Sequence, residues 1–378
     1  YESDDSIRKQ KVKARELFAM FMKERANTGR IYLQNVDHCN THGAFDPAQA
    51  PVKQSNLCME ITLPTKPLYS VQDENGEVAL CTLSAVNLGA LDSLDELEDI
   101  TEIIVRALDS LLDYQDYPLK SAELTSINRR TLGIGVTNLA YYLAKNDAKY
   151  SDGSGNELIH KTFEALQFYS LKASNKLAKE LGACPLFSET QYAKGMLPID
   201  TYKKDIDKFC GTKLELNWDK LRKDIVSKGL RNSTLTALMP CESSSQISNS
   251  TNGIEPPRGF VSIKQSKDGI LKQVVPEYEK LHNKYELLWD IKDNEGYLQL
   301  CAIMQKFVDQ SISTNTHYDP SQYDGNKVPM KLFMMDLLKA YKYGIKTLYY
   351  HTTRDGATDE QNNSKPSDDD CEDGVCKL

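Results

Sequence analysis

Membrane spans, metal knuckles and dinucleotide fingerprints are all missing from this sequence, and each gap removes a class of protein. No run of about 18 uncharged apolar residues occurs, so no membrane span is expected. The first residues, YESDDSIRKQKVKARE, are charged throughout, which leaves no sign of a secretory signal ahead of the fold. No C-x-x-C spacing occurs among the nine cysteines, so a structural zinc site has no support. Nine is also an odd number in a long chain, which argues against a disulfide-stapled secreted scaffold and for a reducing, cytosolic compartment. His38, Cys39 and His42 in DHCNTH group metal-ligand types, but with no second cluster nearby they read as a polar loop. The stretch GIGVTN, residues 133–138, has two glycines of a dinucleotide fingerprint, with Asn138 at the third position and no clear strand before it. Close helix packing around small residues accounts for it better. No internal repeat is visible.

What is present describes an ordinary globular chain of 378 residues, 40% hydrophobic and 26% charged, forming one large domain or two. The net charge is −8 and the Lys/Arg clusters are diluted by Asp/Glu. That argues against a dedicated nucleic-acid binder while leaving room for phosphate recognition at one site. Helical spacing covers residues 5–28, ended by Gly29, then 134–145, 156–181 ended by Gly182, 296–313 and 329–343. Ser93 and Glu96 make a capping box before a helix whose apolar positions include Ile100, Ile104, Leu108 and Leu112. Strand patterns cover 30–36, 78–89, 233–240 and 345–353, and 39–56 is loop-like. From residue 357 onward the chain is polar and acidic and reads as disordered. Mixed helices and buried strands give an α/β architecture, with few strands for a closed barrel.

Chemistry concentrates in five places. In SNLCMEI an extended backbone puts Asn56, Cys58 and Glu60 on one face: an amide, a thiol and a carboxylate. Nothing local places a histidine beside Cys58, so it does not resemble a hydrolase nucleophile. In ALMPCESSSQISNSTNGIEPPRG, residues 237–259, an apolar strand runs into Pro240 and a helix start. Its unpaired N–H groups and Ser243, Ser244 and Ser245 suit a phosphate, Glu242 suits one only through its backbone N–H, and plain capping is an equal alternative. Tyr349 and Tyr350 are adjacent and in a regular strand face opposite sides. Leu332, Met335, Leu338 and Tyr341 recur at helical spacing, as a core stripe or as a seat for a partner peptide. At the end, Cys371 and Cys376 have nothing to bury them, and four residues between them, Gly374 included, let the sulfurs meet. A mobile dithiol suits disulfide exchange.

Taken in order, SNLCMEI, ALCTLSAVNLGA, SSSQISNSTNGIEPPRG, TLYYHTTRDG and CEDGVCKL resemble the large (catalytic) subunit of aerobic, class I ribonucleoside-diphosphate reductase, in phage and enterobacterial versions. The resemblance covers nearly the whole chain. It implies the C-terminal half of a ten-stranded α/β barrel over residues 1–356, with a finger loop at about 52–64, and a redox tail over 357–378. It implies that Cys58 becomes a thiyl radical that takes the ribose 3′ hydrogen, that Glu60 handles the 3′-hydroxyl proton and that Asn56 binds the substrate hydroxyls. Cys81 is then half of the redox pair, Tyr349 and Tyr350 relay the radical, and Cys371 and Cys376 re-reduce the active-site disulfide. Residues 241–245 (Cys241, Glu242, Ser243, Ser244, Ser245) hold the substrate diphosphate, although Cys241 stands where relatives carry Ser. No cofactor is expected in this chain itself. The implied partners are an N-terminal half chain carrying the second redox cysteine, a small subunit with a metal–tyrosyl radical whose tail docks on 329–343, and thioredoxin or glutaredoxin. The expected location is the cytoplasm, the host's if the chain is phage-encoded, and the absent N-terminal half points to a split subunit. The alternatives are a non-catalytic fragment that docks the small subunit and thioredoxin, and a thiol oxidoreductase using the tail dithiol alone.

Overall fold

The computed structural model describes residues 3–266 and 269–354. Along the chain its regular elements begin with α1 (Ala14–Thr28), β1 (Leu33–Gln34), α2 (Val36–Thr41), β2 (Leu83–Asn87), α3 (Leu97–Tyr114) and α4 (Lys120–Arg129). Next come β3 (Gly133–Thr137), α5 (Leu139–Lys145), α6 (Asn156–Leu181), α7 (Pro198–Thr201), α8 (Trp218–Lys228) and α9 (Glu242–Ile247). The last are β4 (Val261–Ser266), β5 (Gly269–Val274), α10 (Tyr278–Leu281), α11 (Glu295–Phe307), β6 (Thr316–Tyr318), α12 (Met330–Lys342), β7 (Thr347–Leu348) and β8 (His351–Thr353).

The expected capping box forms, with Glu96 accepting from the Ser93 N–H and Ser93 Oγ accepting from Asp95 N–H, and it leads into α3. Val105, Leu108 and Leu112 of α3 are buried, and its partner α6 is buried on nearly every side. Arg106–Glu180, Lys176–Glu102 and Lys172–Glu98 pair across their outer edge. Exposed pairs of this kind contribute roughly 0.2–1 kcal/mol each, against about 1.5–3 kcal/mol for each fully buried side chain such as Phe163 or Leu166. Burial therefore holds the helices, and the ion pairs mainly fix their register.

These helices back an open arc of extended segments. β2 lies parallel to β3, with Leu83 opposite Gly133 and Asn87 opposite Thr137. Beyond β3 runs an extended stretch around 234–239, bonded through Ile134 N to Leu235 O and Ala237 N to Ile134 O. Beyond that lies 310–314, through Leu238 N to Ser311 O and Ser313 N to Leu238 O, and then Tyr349 N to Thr314 O. Among the described residues the arc does not close into a barrel. β1 pairs antiparallel with β7, and β6 parallel with β8.

Several boundaries differ from the sequence reading. The first five residues of GIGVTN form β3, not part of a helix. A Cβ at Gly135 would lie 2.7 Å from Met239 Sδ and 2.8 Å from Ala237 O, so glycine is required there by a neighbouring strand rather than by helix packing. α1 begins at Ala14 instead of residue 5, because the preceding residues are charged and exposed. The strand at 30–36 shrinks to Leu33–Gln34, and the segment read as loop from 39 is entered by α2. α11 stops at Phe307, and 308–313 joins the arc. The exposed hairpin β4–β5 and helices α4 and α8 gave too weak a periodicity to be read. Gly29 (φ 66°) ends α1, and its carbonyl accepts from His351 N at 3.0 Å. The expected tail, 357–378, with Cys371 and Cys376, lies outside the described residues. No helix among the described residues is long and apolar enough to cross a membrane.

Candidate functional site

The loop 52–64 threads along the 310–313 segment. Glu60 O accepts from Ser311 N at 2.9 Å, and Gln310 Oε1 accepts from Thr62 N at 3.3 Å. The extended run expected through Asn56, Cys58 and Glu60 is instead a tight turn. Asn56 O accepts from Met59 N at 3.2 Å, and Met59 is left-handed with φ 71°. The three residues still converge, because distant groups gather them. Asn56 Oδ1 accepts from Ile61 N at 3.1 Å while its Nδ2 lies 3.7 Å from Cys81 Sγ. Ser313 Oγ donates to Cys58 O at 2.5 Å and lies 3.4 Å from Glu60 Oε2.

Charge around this cluster favours protonated groups. Burial, then the Glu60 carboxylate, push the Cys58 thiol above its ordinary pKa, and a hydrogen bond from Tyr349 only partly offsets them. Burial raises the Glu60 carboxyl, which is 2% exposed, although its hydrogen bonds hold it down in part. Desolvation and Glu60 raise Cys81, an exposed residue whose thiol lines a 460 Å³ cavity with Lys53, Asn56, Lys66 and Glu77. A cysteine nucleophile usually sits where cations lower its pKa. These thiols sit where neutral S–H is kept.

Tyr349 and Tyr350 do not take opposite sides. Their ring centroids are 4.1 Å apart, because β7 ends before them and β8 starts after them. Tyr349 is buried, with its hydroxyl 4.0 Å from Cys58 Sγ, and Tyr350 is at the surface. Tyr32 packs on both, at 4.6 Å and 5.3 Å between centroids. Hydrogen bonds from Tyr32 and Tyr349 hold Tyr350 below the usual phenol pKa, while burial and Tyr350 raise Tyr349. The result is a continuous line of phenols from the surface to the Cys58 sulfur.

Residues 241–245 open α9, with Cys241 at its N-cap. The Cys241 thiol is buried, turned towards Val136 O and Met239 O at 3.6 Å each, and burial pushes it up to about 11. Ser244 Oγ donates to Cys241 O and Ser245 Oγ to Glu242 O. The helix start borders a 380 Å³ cleft lined by Glu242, Ser245, Thr251, Glu255 and Arg258. Glu242 is close enough to Cys58 to raise its pKa, which ties this cleft to the thiol.

Other expectations resolve differently. His38 and His42 lie on and beside α2, not in a polar loop; His42 is bonded at both ring nitrogens, to Thr201 and to the carbonyl of Gln305, and His38 through Nδ1 to the carbonyl of Ile345. No group of metal-ligand side chains occurs among the described residues. Most of the stripe on α12 is not core, since Met335, Leu338 and Tyr341 are exposed, while Leu332 packs against the buried cluster of Met22, Tyr318 and Phe333. Local sequence gave no sign of Ser313, Asn315, Glu255 or Arg25. Tyr32 stood in a segment read as strand, with nothing to mark its packing on Tyr349 and Tyr350.

The family model described as ribonucleotide reductase, barrel domain, matches residues 1–351. The chain is 68% identical to ribonucleoside-diphosphate reductase 1 subunit alpha of Escherichia coli (strain K12) over 100% of its own length and 50% of that relative's. It is 66% identical to ribonucleoside-diphosphate reductase subunit alpha of Haemophilus influenzae, with 100% of this chain and 50% of that relative covered. Against the protein of that name in Enterobacteria phage T4 it is 50% identical at the same coverage, 100% and 50%. The chain thus spans about half the length of the curated relatives it matches.

Proposed function

The chain belongs to the ribonucleotide reductase barrel-domain family, and we propose that it supplies the radical thiol, its proton-handling helpers and one redox cysteine for reduction of ribonucleoside diphosphates to 2′-deoxyribonucleoside diphosphates. The observation that carries this reading is the setting of Cys58. Its S–H is kept protonated, a phenol stands 4.0 Å from the sulfur, and a buried carboxylate and an amide flank it in the same turn. Hydrogen-atom transfer needs an intact S–H and a positioned acceptor, whereas a thiolate nucleophile needs neither.

The steps balance as follows. The radical, which a small subunit's metal–tyrosyl centre would supply, reaches Tyr349 through Tyr350. Tyr349 takes a hydrogen atom from Cys58, and the resulting thiyl takes hydrogen from C3′ of the ribose. Glu60 accepts the 3′-hydroxyl proton, held to it by Asn56. The 2′-hydroxyl leaves as water. The two electrons and two protons come from two thiols, Cys81 and a cysteine supplied from outside this chain, which close a disulfide. Hydrogen then returns from Cys58 to C3′, Glu60 gives its proton back to the 3′ oxygen, and Tyr349 returns its hydrogen atom to Cys58. The start of α9, over residues 241–245, holds the diphosphate beside the cleft, without the N–H groups of Cys241 and Ser245, which are bonded to Asn252 Oδ1 and Cys241 O. Cys371 and Cys376 re-reduce the disulfide and are recharged by thioredoxin or glutaredoxin in the cytoplasm. The exposed face of α12 seats the small subunit's tail.

The competing reading, a docking fragment without turnover, rests on that same exposed stripe of Met334, Met335, Leu338 and Tyr341. Mixing this chain with a polypeptide spanning the other half of its relatives' length and with the small subunit decides between them. Diphosphate reduction is expected. No product, with the chains demonstrably associated, leaves only docking. Replacing Cys371 and Cys376 together by Ser should spare turnover with a small dithiol and abolish it with thioredoxin; identical behaviour with both reductants refutes the shuttle.

A further inference from the structure

The peptide group joining Tyr349 to Tyr350 is held by side chains where the strand ladder lets it go. In the register of β6 on β8, Thr316 N donates to Tyr350 O at 3.0 Å and Arg354 N to Tyr318 O at 2.9 Å. Continued backwards, that register would send Tyr350 N to Thr314 O. Instead Tyr349 N takes Thr314 O, at 2.7 Å, so one extra residue stands on the tyrosine strand. This is a bulge in a parallel pairing, an arrangement that re-aims side chains and leaves one peptide without ladder partners. Both orphaned groups belong to the single peptide between the two tyrosines. Its C=O accepts from Arg25 Nη1 at 3.0 Å, and its N–H donates to Asn315 Oδ1 at 2.8 Å.

We propose that Arg25 and Asn315 are positioning residues that clamp this peptide and so keep the two phenols packed together in line with Cys58. The inference rests on the radical-relay reading of Tyr349 and Tyr350. Arg25 comes from the last turn of α1, is 3% exposed, and also donates to Ile31 O, so its guanidinium is spent on carbonyls rather than on a carboxylate. Asn315 cannot turn its amide over, because its Nδ2 donates to Glu255, which leaves Oδ1 facing Tyr350. Glu255 lines the cleft beside α9, so the clamp runs from the substrate side of the site to the relay without touching the reacting atoms. Without the clamp, the peptide would regain ladder partners by slipping one residue. That slip flips a phenol to the other face of the strand.

The test places Asn315→Leu, Arg25→Met and Arg25→Lys in the complete complex and measures kcat, KM and amide exchange at Tyr350. Asn315→Leu is expected to speed exchange at Tyr350 by at least about tenfold and to lower kcat by at least about tenfold, with KM within about twofold. Arg25→Lys, which keeps a donor, should retain most of the turnover that Arg25→Met loses. Unchanged exchange in Asn315→Leu overturns the clamp, and so does faster exchange with unchanged kcat. If Arg25→Met fails to fold, Asn315→Leu and Arg25→Lys decide alone. An inactive wild-type complex overturns the relay reading instead, and the exchange rate at Tyr350 still judges the clamp.

Discussion

Cys58 and Cys81 share a neighbour, Asn56, and a raised pKa, yet their surroundings differ. Cys58 is half-buried and enclosed by this chain's own groups, with Tyr349 on one side and the Glu60 turn, pinned by Ser313, on the other. Cys81 is exposed on the wall of an open cavity, where the Asn56 amide lies 3.7 Å from its sulfur. On the proposed reading, one thiol is surrounded by the groups that would move a hydrogen atom. The other is left accessible, as a thiol must be if it is to meet another sulfur. A raised pKa therefore does not distinguish the two roles; the degree of enclosure does.

The comparison breaks most sharply on substitution to serine. Cys58→Ser should abolish both product formation and loss of a 3′-hydrogen label, since no thiyl can form. Cys81→Ser should also stop product formation but still release the 3′ label, because its thiol acts only after that bond is cut. Label retention in Cys81→Ser would put Cys81 in the radical step and erase the distinction.

A smaller effect is expected at Glu60. Glu60→Gln should lower kcat by about 10²–10⁴-fold, the usual contribution of a positioned base, and should remove the acid limb of the pH profile. In the wild type that limb lies above the ordinary Glu value of 4.5, because burial raises the folded-state pKa. The same shift has a stability consequence. A carboxyl whose folded pKa is raised lends stability below its unfolded pKa and loses it as pH rises through the folded one. Glu60→Gln should therefore gain on the wild type in urea midpoint as pH rises through that window. A constant difference across it would mean Glu60 is not desolvated.

The smallest effect belongs to Cys241→Ser. A new hydrogen bond to the diphosphate would tighten binding by about fivefold, or ~1 kcal/mol. Because the side chain here faces Val136 O and Met239 O, KM is expected to move by less than about twofold. A fivefold drop in KM would show that the side chain does turn towards the ligand.

The candidate residues of the site could be picked out in the sequence, but their geometry could not. Strand alternation grouped Asn56, Cys58 and Glu60, and the structure keeps the group while replacing the strand by a turn held from Ser313, 255 positions after Cys58. Alternation also predicted that Tyr349 and Tyr350 part company. They stay together through a bulge whose carbonyl is held from Arg25, 324 positions away. Local spacing carries no information about such partners. The helices with strong periodicity, α3 and α6, were found where expected because burial on one face, or on all faces, is written into successive residues. GIGVTN was misread for the opposite reason, since small residues mark close approach without saying what approaches.

Gly29 bears on how finely this arrangement is set. A methyl group at that position would stand 2.7 Å from the carbonyl oxygen of His351, inside any tolerable contact. His351 directly follows the two packed phenols, so the missing side chain at the end of α1 lets this segment lie where Tyr349 and Tyr350 stay together. Displacements near 1 Å at a reacting centre can cost about 10²-fold in rate. A residue with no side chain at all thus constrains the same segment that carries the two phenols.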